Sequence, residues 1–261
     1  MDLTTTPGYV AGFPDELSLR ELGGQVAADG RTVRHGLLYR GAALTDLTDA
    51  QKALVDSFGL RFLLDLRAEG EAEGKDDYVP AGCEYVRMGG MEDEDGLEVD
   101  FSPKGIARLQ GKFAEYGPGL MQQLYASMAF GNRAVHTLME RFVAGQAPLY
   151  FHCSAGKDRT GVCAALLLTA LGVPDQAIID EFLLTNQYRA SIINLPADQS
   201  PQWVGETERA NWAEVNGVNA ASLQAVFAAI DERHPTREAY FADEFGLDAK
   251  TLASVRDRYL E

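Results

Sequence analysis

The sequence predicts an α/β fold, with a central sheet flanked by helices, and three observations predict it. Short apolar runs such as RFLLDLR (61–67) and PLYFHC (148–153) are bounded by turn signals and read as buried strands. The stretches between them show helical spacing of apolar residues. From PDQAIIDEFLLTNQYRA (174–190) to TLASVRDRYLE (251–261) the chain reads as mostly helical, interrupted by one polar, Pro-containing loop around NLPADQSPQ (194–202).

Taken in order, LSLRELGGQVAADGRTVRHGLLYRGAAL (17–44) mixes short β-prone pieces with Gly-Gly and Asp-Gly turn signals. TDLTDAQKALVDSFG (45–59) reads as a helix capped by Thr45 or Thr48 and closed by Gly59. RFLLDLR is the next strand, and its C-terminal end carries Asp65 and Arg67, where open α/β sheets place ligands. Strand-like CEYVRM (83–88) and helical NRAVHTLMERFVAG (132–145) enclose a segment, 91–132, far longer than an ordinary connection. It holds an acidic stretch and two helical pieces, and it is expected to be a helical lid inserted in a single domain spanning 1–261. The alternative is an extra helix pair that never moves. PLYFHC then leads through a short polar loop into TGVCAALLLTALG (160–172), a helix too apolar to be surface-exposed, ended by Gly172 and Pro174.

Composition narrows the chemistry. The chain has 261 residues, 46% of them hydrophobic and 24% charged, as a globular domain does. Its formal net charge of −16 opposes binding to nucleic acid or an anionic membrane surface, while leaving room for a local basic pocket. Cys83, Cys153 and Cys163 form no CxxC pair and no Cys/His spacing suited to zinc, and their odd number points to a reducing compartment. No apolar run reaches the ~18 residues needed to span a bilayer, and no signal-like N-terminus is visible, so a cytoplasmic location is expected, with export by a specialised route left open.

The chemistry concentrates in FHCSAGKDRTG (151–161). A loop between a buried strand and a buried helix can point its backbone N–H groups inward as an anion nest, and the helix adds unsatisfied N–H groups and partial positive charge. Phosphate fits that concavity. Arg159, separated from Cys153 by five residues, offers a planar fork of donors to two phosphate oxygens, and Gly156 lets the chain approach without a Cβ. The same field lowers a cysteine pKa from ~8.5 towards ~3.5–7.5, which makes Cys153 a nucleophilic thiolate. His152 is a candidate to tune the sulfur from its ring, and Thr160 to hydrogen-bond it as it leaves. No metal is called for, because arginine and amides supply the charge stabilisation. Cys163 and Cys83 are read as small core hydrophobes, and His35, His136 and His234 as structural.

HCSAGKDRTG fits the HCx5R(S/T) signature of cysteine-dependent phosphatases, and its GKDR form resembles the bacterial protein-tyrosine phosphatases of the mycobacterial PtpB and listerial LipA type. RELGG, GLLYRGAAL, FLLDLRAEGE and YFADEFGLDAKTLASVRDRYL look like further blocks of that family, so the likeness covers most of the chain, most loosely around 91–132. The resemblance implies a tyrosine-phosphatase-like fold in which 91–132 is a helical lid over the active site. It implies Cys153 as nucleophile, Arg159 as phosphate clamp, and Ser154, Ala155, Gly156, Lys157 and Asp158 as phosphate-binding amides. It implies phosphorylated proteins as substrates, with phospholipid headgroups a further class that Lys157 would help to admit. The family's usual WPD acid is absent here, which leaves Asp65 and Asp158 as equal candidates for the general acid and Asp93 and Asp95 as outsiders. The alternatives are an inositol phosphate phosphatase, a rhodanese-like sulfurtransferase, and a non-catalytic phosphoprotein-binding module.

Overall fold

The computed structural model describes residues 3–92, 96, 98–102, 104, 105, 119–196, 199 and 212–261. Its five strands are β1 (Arg20–Glu21), β2 (Leu38–Gly41), β3 (Phe62–Asp65), β4 (Glu84–Arg87) and β5 (Leu149–His152), in the sheet order β1-β2-β5-β3-β4. β5 lies between β2 and β3 and runs parallel to both, while β1 is antiparallel to β2. The register pairs Gly41 and Asp65 each with His152. Three parallel strands therefore end level, and the chain leaving His152 emerges between two neighbours, where open α/β sheets build ligand sites.

Alternation sorts the two faces. Leu149 and Phe151 join Phe62 and Leu64 in the larger core, and Tyr150 faces the other way with Leu63 and Tyr39. β4 is one of the two edge strands and carries the charged Glu84 and Arg87. The helices are α1 (Asp49–Ser57), α2 (Glu69–Ala72), α3 (Leu120–Ser127), α4 (Arg133–Val143), α5 (Asp158–Ala170), α6 (Asp175–Tyr188), α7 (Ala190–Ile193), α8 (Trp212–Asn216), α9 (Ala220–Arg233), α10 (Arg237–Phe245) and α11 (Ala249–Tyr259). Among the described residues, no helix is long and apolar enough to cross a membrane.

Local signals account for the boundaries. Thr48, not Thr45, caps α1: its hydroxyl accepts from the Gln51 amide, and the Gln51 side chain accepts from the Thr48 amide. Asn132 caps α4 by accepting from Val135 N–H at 3.0 Å. α5 begins at Asp158, two residues before the Thr160 start read from the apolar pattern. The polar residues there do not look helical, yet the helix's first turn is where unsatisfied N–H groups must meet an acceptor. Every α5 residue except Asp158 is buried.

Of the 91–132 segment, 93–95, 97, 103 and 106–118 lie outside the described residues. The described α3 packs Leu120, Leu124 and Tyr125 into the main core, with Met128 just beyond its end.

Candidate active site

The loop after β5 sits hard against the end of β2. Gly156 has φ +68°, and a Cβ there would lie 2.3 Å from the Gly41 carbonyl carbon. Gly41 is equally constrained, since its own Cβ would meet the Tyr150 hydroxyl at 2.5 Å. Two bare backbones are thus required for contact. Arg40 fixes the same point by donating from Nη2 to the Gly156 carbonyl oxygen at 3.0 Å and from Nη1 to Glu181 at 2.7 Å. Arg20 meets the other Glu181 oxygen at 2.6 Å, completing a buried Arg–Glu–Arg triad beneath the loop. Burial and neighbouring Arg20 lower the Arg40 pKa to about 10, while burial's upward pull on Glu181 is outweighed by the two guanidinium groups, which hold it below the usual carboxylate range.

Arg159 is held by its outer nitrogens. Nη1 donates to Leu66 O at 2.9 Å and to Glu71 Oε2 at 2.6 Å, and Nη2 donates to Glu71 Oε1 at 2.7 Å. Glu71 also accepts the Ser154 hydroxyl at 2.7 Å and the Ala68 N–H at 3.0 Å. The Arg159 Cζ lies 5.0 Å from the Phe101 ring centroid. Its Nε is buried and has no partner among the described residues. A buried donor without a partner is costly, so this N–H is the one left over for a ligand oxygen.

Cys153 is 2% exposed. Burial pushes its thiol up, but the Arg159 charge, with Thr160 beside the sulfur, outweighs that and holds it below the usual cysteine range; Thr160 Oγ1 itself has no hydrogen-bond partner among the described residues. His152 does not bring its ring to the sulfur: Nδ1 lies 3.0 Å from the Cys153 carbonyl oxygen and Nε2 lies 3.4 Å from Asp77. Its influence runs through the backbone that carries the sulfur. Burial opposes the charged imidazole, and Asp77 and Asp65 reverse this and raise its pKa.

The two acid candidates have different surroundings. Asp65 is fully buried, accepts from Arg67 Nε and N at 2.9 Å and Nη2 at 2.8 Å, and takes the Tyr85 hydroxyl at 2.9 Å. Asp65, Asp77 and His152 bring ligand-type atoms within 4.8 Å of one another, and the Arg67 guanidinium bridges the two carboxylates. Asp158 stands in the first turn of α5 with its side chain 18% exposed. Tyr125 of α3 donates its hydroxyl to Asp158 Oδ1, and Lys157 Nζ lies 3.1 Å from Oδ2. Asp93 and Asp95 lie outside the described residues. Ser154 is exposed, and Ala155 and Lys157 are half-buried at the loop's rim.

The loop thus brings a lowered thiol, a buried arginine and the start of a buried helix together at the strand ends, and known proteins resemble this chain over most of its length. The profile described as the tyrosine phosphatase family matches residues 16–261. The chain belongs to that family. A Cupriavidus necator protein whose name places it among the tyrosine-protein phosphatases is 30% identical over 92% of this chain and 85% of its own length. The triple specificity protein phosphatase PtpB of Mycobacterium tuberculosis is 28% identical over 92% of this chain and 98% of its own. A tyrosine-protein phosphatase of Nostoc commune is 26% identical over 84% of this chain and 72% of its own.

Within this tyrosine phosphatase, other expected roles resolve simply. His35, His136 and His234 pair with Glu21, Glu244 and Asp243, at 2.5, 2.9 and 3.3 Å. Cys163 is buried, with its thiol pushed up to about 12 by burial first and the Cys153 charge second. Cys83 is half-exposed rather than a core residue, and desolvation with Glu84 pushes it to about 11. Sequence reasoning missed Glu71, Glu181, Asp77 and Tyr125 as parts of the site. Glu71 stood in the FLLDLRAEGE block, but its partner lies 88 residues away, and a pairing that distant leaves no periodic signal.

Proposed function

We propose that this chain hydrolyses phosphotyrosine in proteins through a phosphocysteine intermediate. The observation that carries the reading is the buried Arg159 Nε, without a partner among the described residues, beside a thiol held below its usual range. In the first step Cys153 Sγ attacks phosphorus, the P–O bond to the tyrosine breaks, and a carboxylic acid gives its proton to the leaving oxygen. Asp158 suits that role, because it is partly exposed at the rim, while every approach to Asp65 is taken by Arg67 and Tyr85. In the second step water attacks phosphorus, Asp158 takes the water's proton, and the S–P bond breaks to restore the thiolate, which Thr160 stabilises. Loop amides and Arg159 hold the equatorial oxygens throughout.

The 2% exposure of Cys153 favours a phosphate presented on a long stem, and a tyrosine ring reaches further than a serine or threonine side chain. Phosphoserine, phosphothreonine and phosphoinositides belong to the proposal as slower substrates, with a lid role for the 91–132 segment shielding the intermediate. The deciding experiment is rapid quench with a radiolabelled phosphotyrosine peptide. Label is expected on Cys153 in wild type and none in Cys153→Ser, which should lose turnover entirely. Turnover retained by the serine variant removes Cys153 as the nucleophile.

A further inference from the structure

Five arginines are buried among the described residues: Arg20, Arg40, Arg67, Arg159 and Arg189. The first four each have a carboxylate oxygen within ion-pair reach, at 2.6, 2.7, 2.8 and 2.6 Å. Arg189, 7% exposed at the junction of α6 and α7, has no ion pair among the described residues. Among the described residues it donates only to backbone oxygens at long range, from Nε to Asn216 O at 3.3 Å and from Nη1 to Glu16 O at 3.4 Å. A buried cation without a counter-charge is expensive, and two long bonds to neutral carbonyls offset little of that cost.

Its position gives the missing charge a meaning. Lys157, in the catalytic loop, donates to Val215 O at 2.7 Å and Gly217 O at 3.4 Å. Arg189 and Lys157 therefore grip consecutive carbonyls of one turn, Val215–Gly217, beside the phosphate cradle. Burial pulls the Arg189 pKa down, and the charges that oppose this are Asp158 and Cys153, ahead of Glu16. Gly217 of that turn also lines a cavity of about 210 Å³ with Asn186, Ile193 and Val218, and neither of the two cations lines it.

We infer that Arg189, at the turn that Lys157 also holds, forms a second anion subsite that reads an acidic side chain, Asp or Glu, flanking the phosphotyrosine of a protein substrate. A guanidinium matches a carboxylate with a two-pronged fork, the geometry that buried Arg67 and Arg159 already use within the protein. The net charge of −16 favours a peptide over a membrane surface as the source of that anion, because the whole molecule repels an anionic bilayer while one buried guanidinium selects one side chain. The inference rests on the phosphotyrosine reading above.

The test compares kcat/KM for a phosphotyrosine peptide with Glu on both sides, the same peptide with Ala there, and a soluble inositol bisphosphate. Wild type is expected to favour the Glu peptide by about tenfold, mainly through KM, as one charge-assisted contact allows. In Arg189→Gln that ratio is expected to fall to about threefold or less, and in Arg189→Lys, which keeps charge without the fork, to lie between. The lysine variant carries the test should the glutamine variant fail to fold. A wild-type ratio near one, or a ratio unchanged in a folded variant, overturns the subsite while hydrolysis of the Ala peptide leaves the phosphatase reading standing. An Arg189-dependent preference for the inositol bisphosphate overturns the carboxylate assignment. Hydrolysis of neither peptide overturns both readings.

Discussion

Glu71 takes both outer nitrogens of Arg159, at 2.6 and 2.7 Å, and with the same carboxylate accepts the Ser154 hydroxyl at 2.7 Å. One side chain of α2 thus aims the clamp, leaves Nε as its free donor, and ties the clamp to the rim of the loop. Positioning of this kind acts on the transition state, because the donors must already stand where charge develops.

Glu71→Gln keeps the shape but leaves the Arg159 charge buried and unpaired. Breaking one side of such a pair costs about 3–5 kcal/mol, and kcat/KM on an aryl phosphate is expected to fall about 10²-fold. The sign with pH follows from the folded-state carboxyl, which burial raises but Arg159 and Ser154 more than pull back below its usual range. A depressed carboxyl contributes stability above its unfolded pKa, about 4.3, and loses it as pH falls through the folded value. Thermal melts from pH 7 down to pH 3 should therefore converge for wild type and Glu71→Gln. Activity within about threefold of wild type would show that Glu71 does not aim the clamp.

Asp158 and Asp65 are separated by how their replacements move the pH–rate profile. Asp158→Asn removes the proposed proton donor and a negative charge that raises the Cys153 thiol. The basic limb of kcat/KM should disappear and the acidic limb shift to lower pH. Asp65→Asn instead weakens a buried ion pair with Arg67, so it should lower the melting temperature and leave the basic limb in place. A retained basic limb in Asp158→Asn, lost in Asp65→Asn, would reverse the assignment.

Legibility of the sequence followed the range of the interaction. β3, β5, α4 and the apolar body of α5 were visible because their burial patterns are local, and the phosphate loop was visible because one turn holds the sulfur, the glycine and the arginine together. Two things were not. The start of α5 at Asp158 was hidden because its first turn is polar and defined by the anion site, not by the core. The Arg20–Glu181–Arg40 triad and the Arg159–Glu71 pair join residues 161, 141 and 88 positions apart, and such pairs become visible only when the sheet brings strand ends and helices together. Asp65 looked equivalent to Asp158 on the chain because both lie near an arginine. Burial separates them: one has a full set of donors and the other faces the rim.

The three cysteines give a competition between exposure and ionisation. Exposure alone would send an alkylating reagent to half-exposed Cys83 before Cys153, which is 2% exposed. Reactivity, however, belongs to the thiolate. With its thiol at about 11, Cys83 holds only about 10⁻⁴ of its population as thiolate at pH 7, and Cys163, at about 12, holds less. Cys153, held below the usual range by Arg159 and Thr160, exceeds them by more than about a hundredfold. That factor sets Cys153 ahead of Cys83 despite its burial. Iodoacetamide at pH 7, followed by peptide mass mapping, should therefore label Cys153 alone, with a half-maximal rate below pH ~8.5. In Arg159→Ala the largest lowering influence is gone while burial remains, so the midpoint should move above that value. Labelling of Cys83 ahead of Cys153 in the wild type would mean that the loop does not hold the sulfur as an anion.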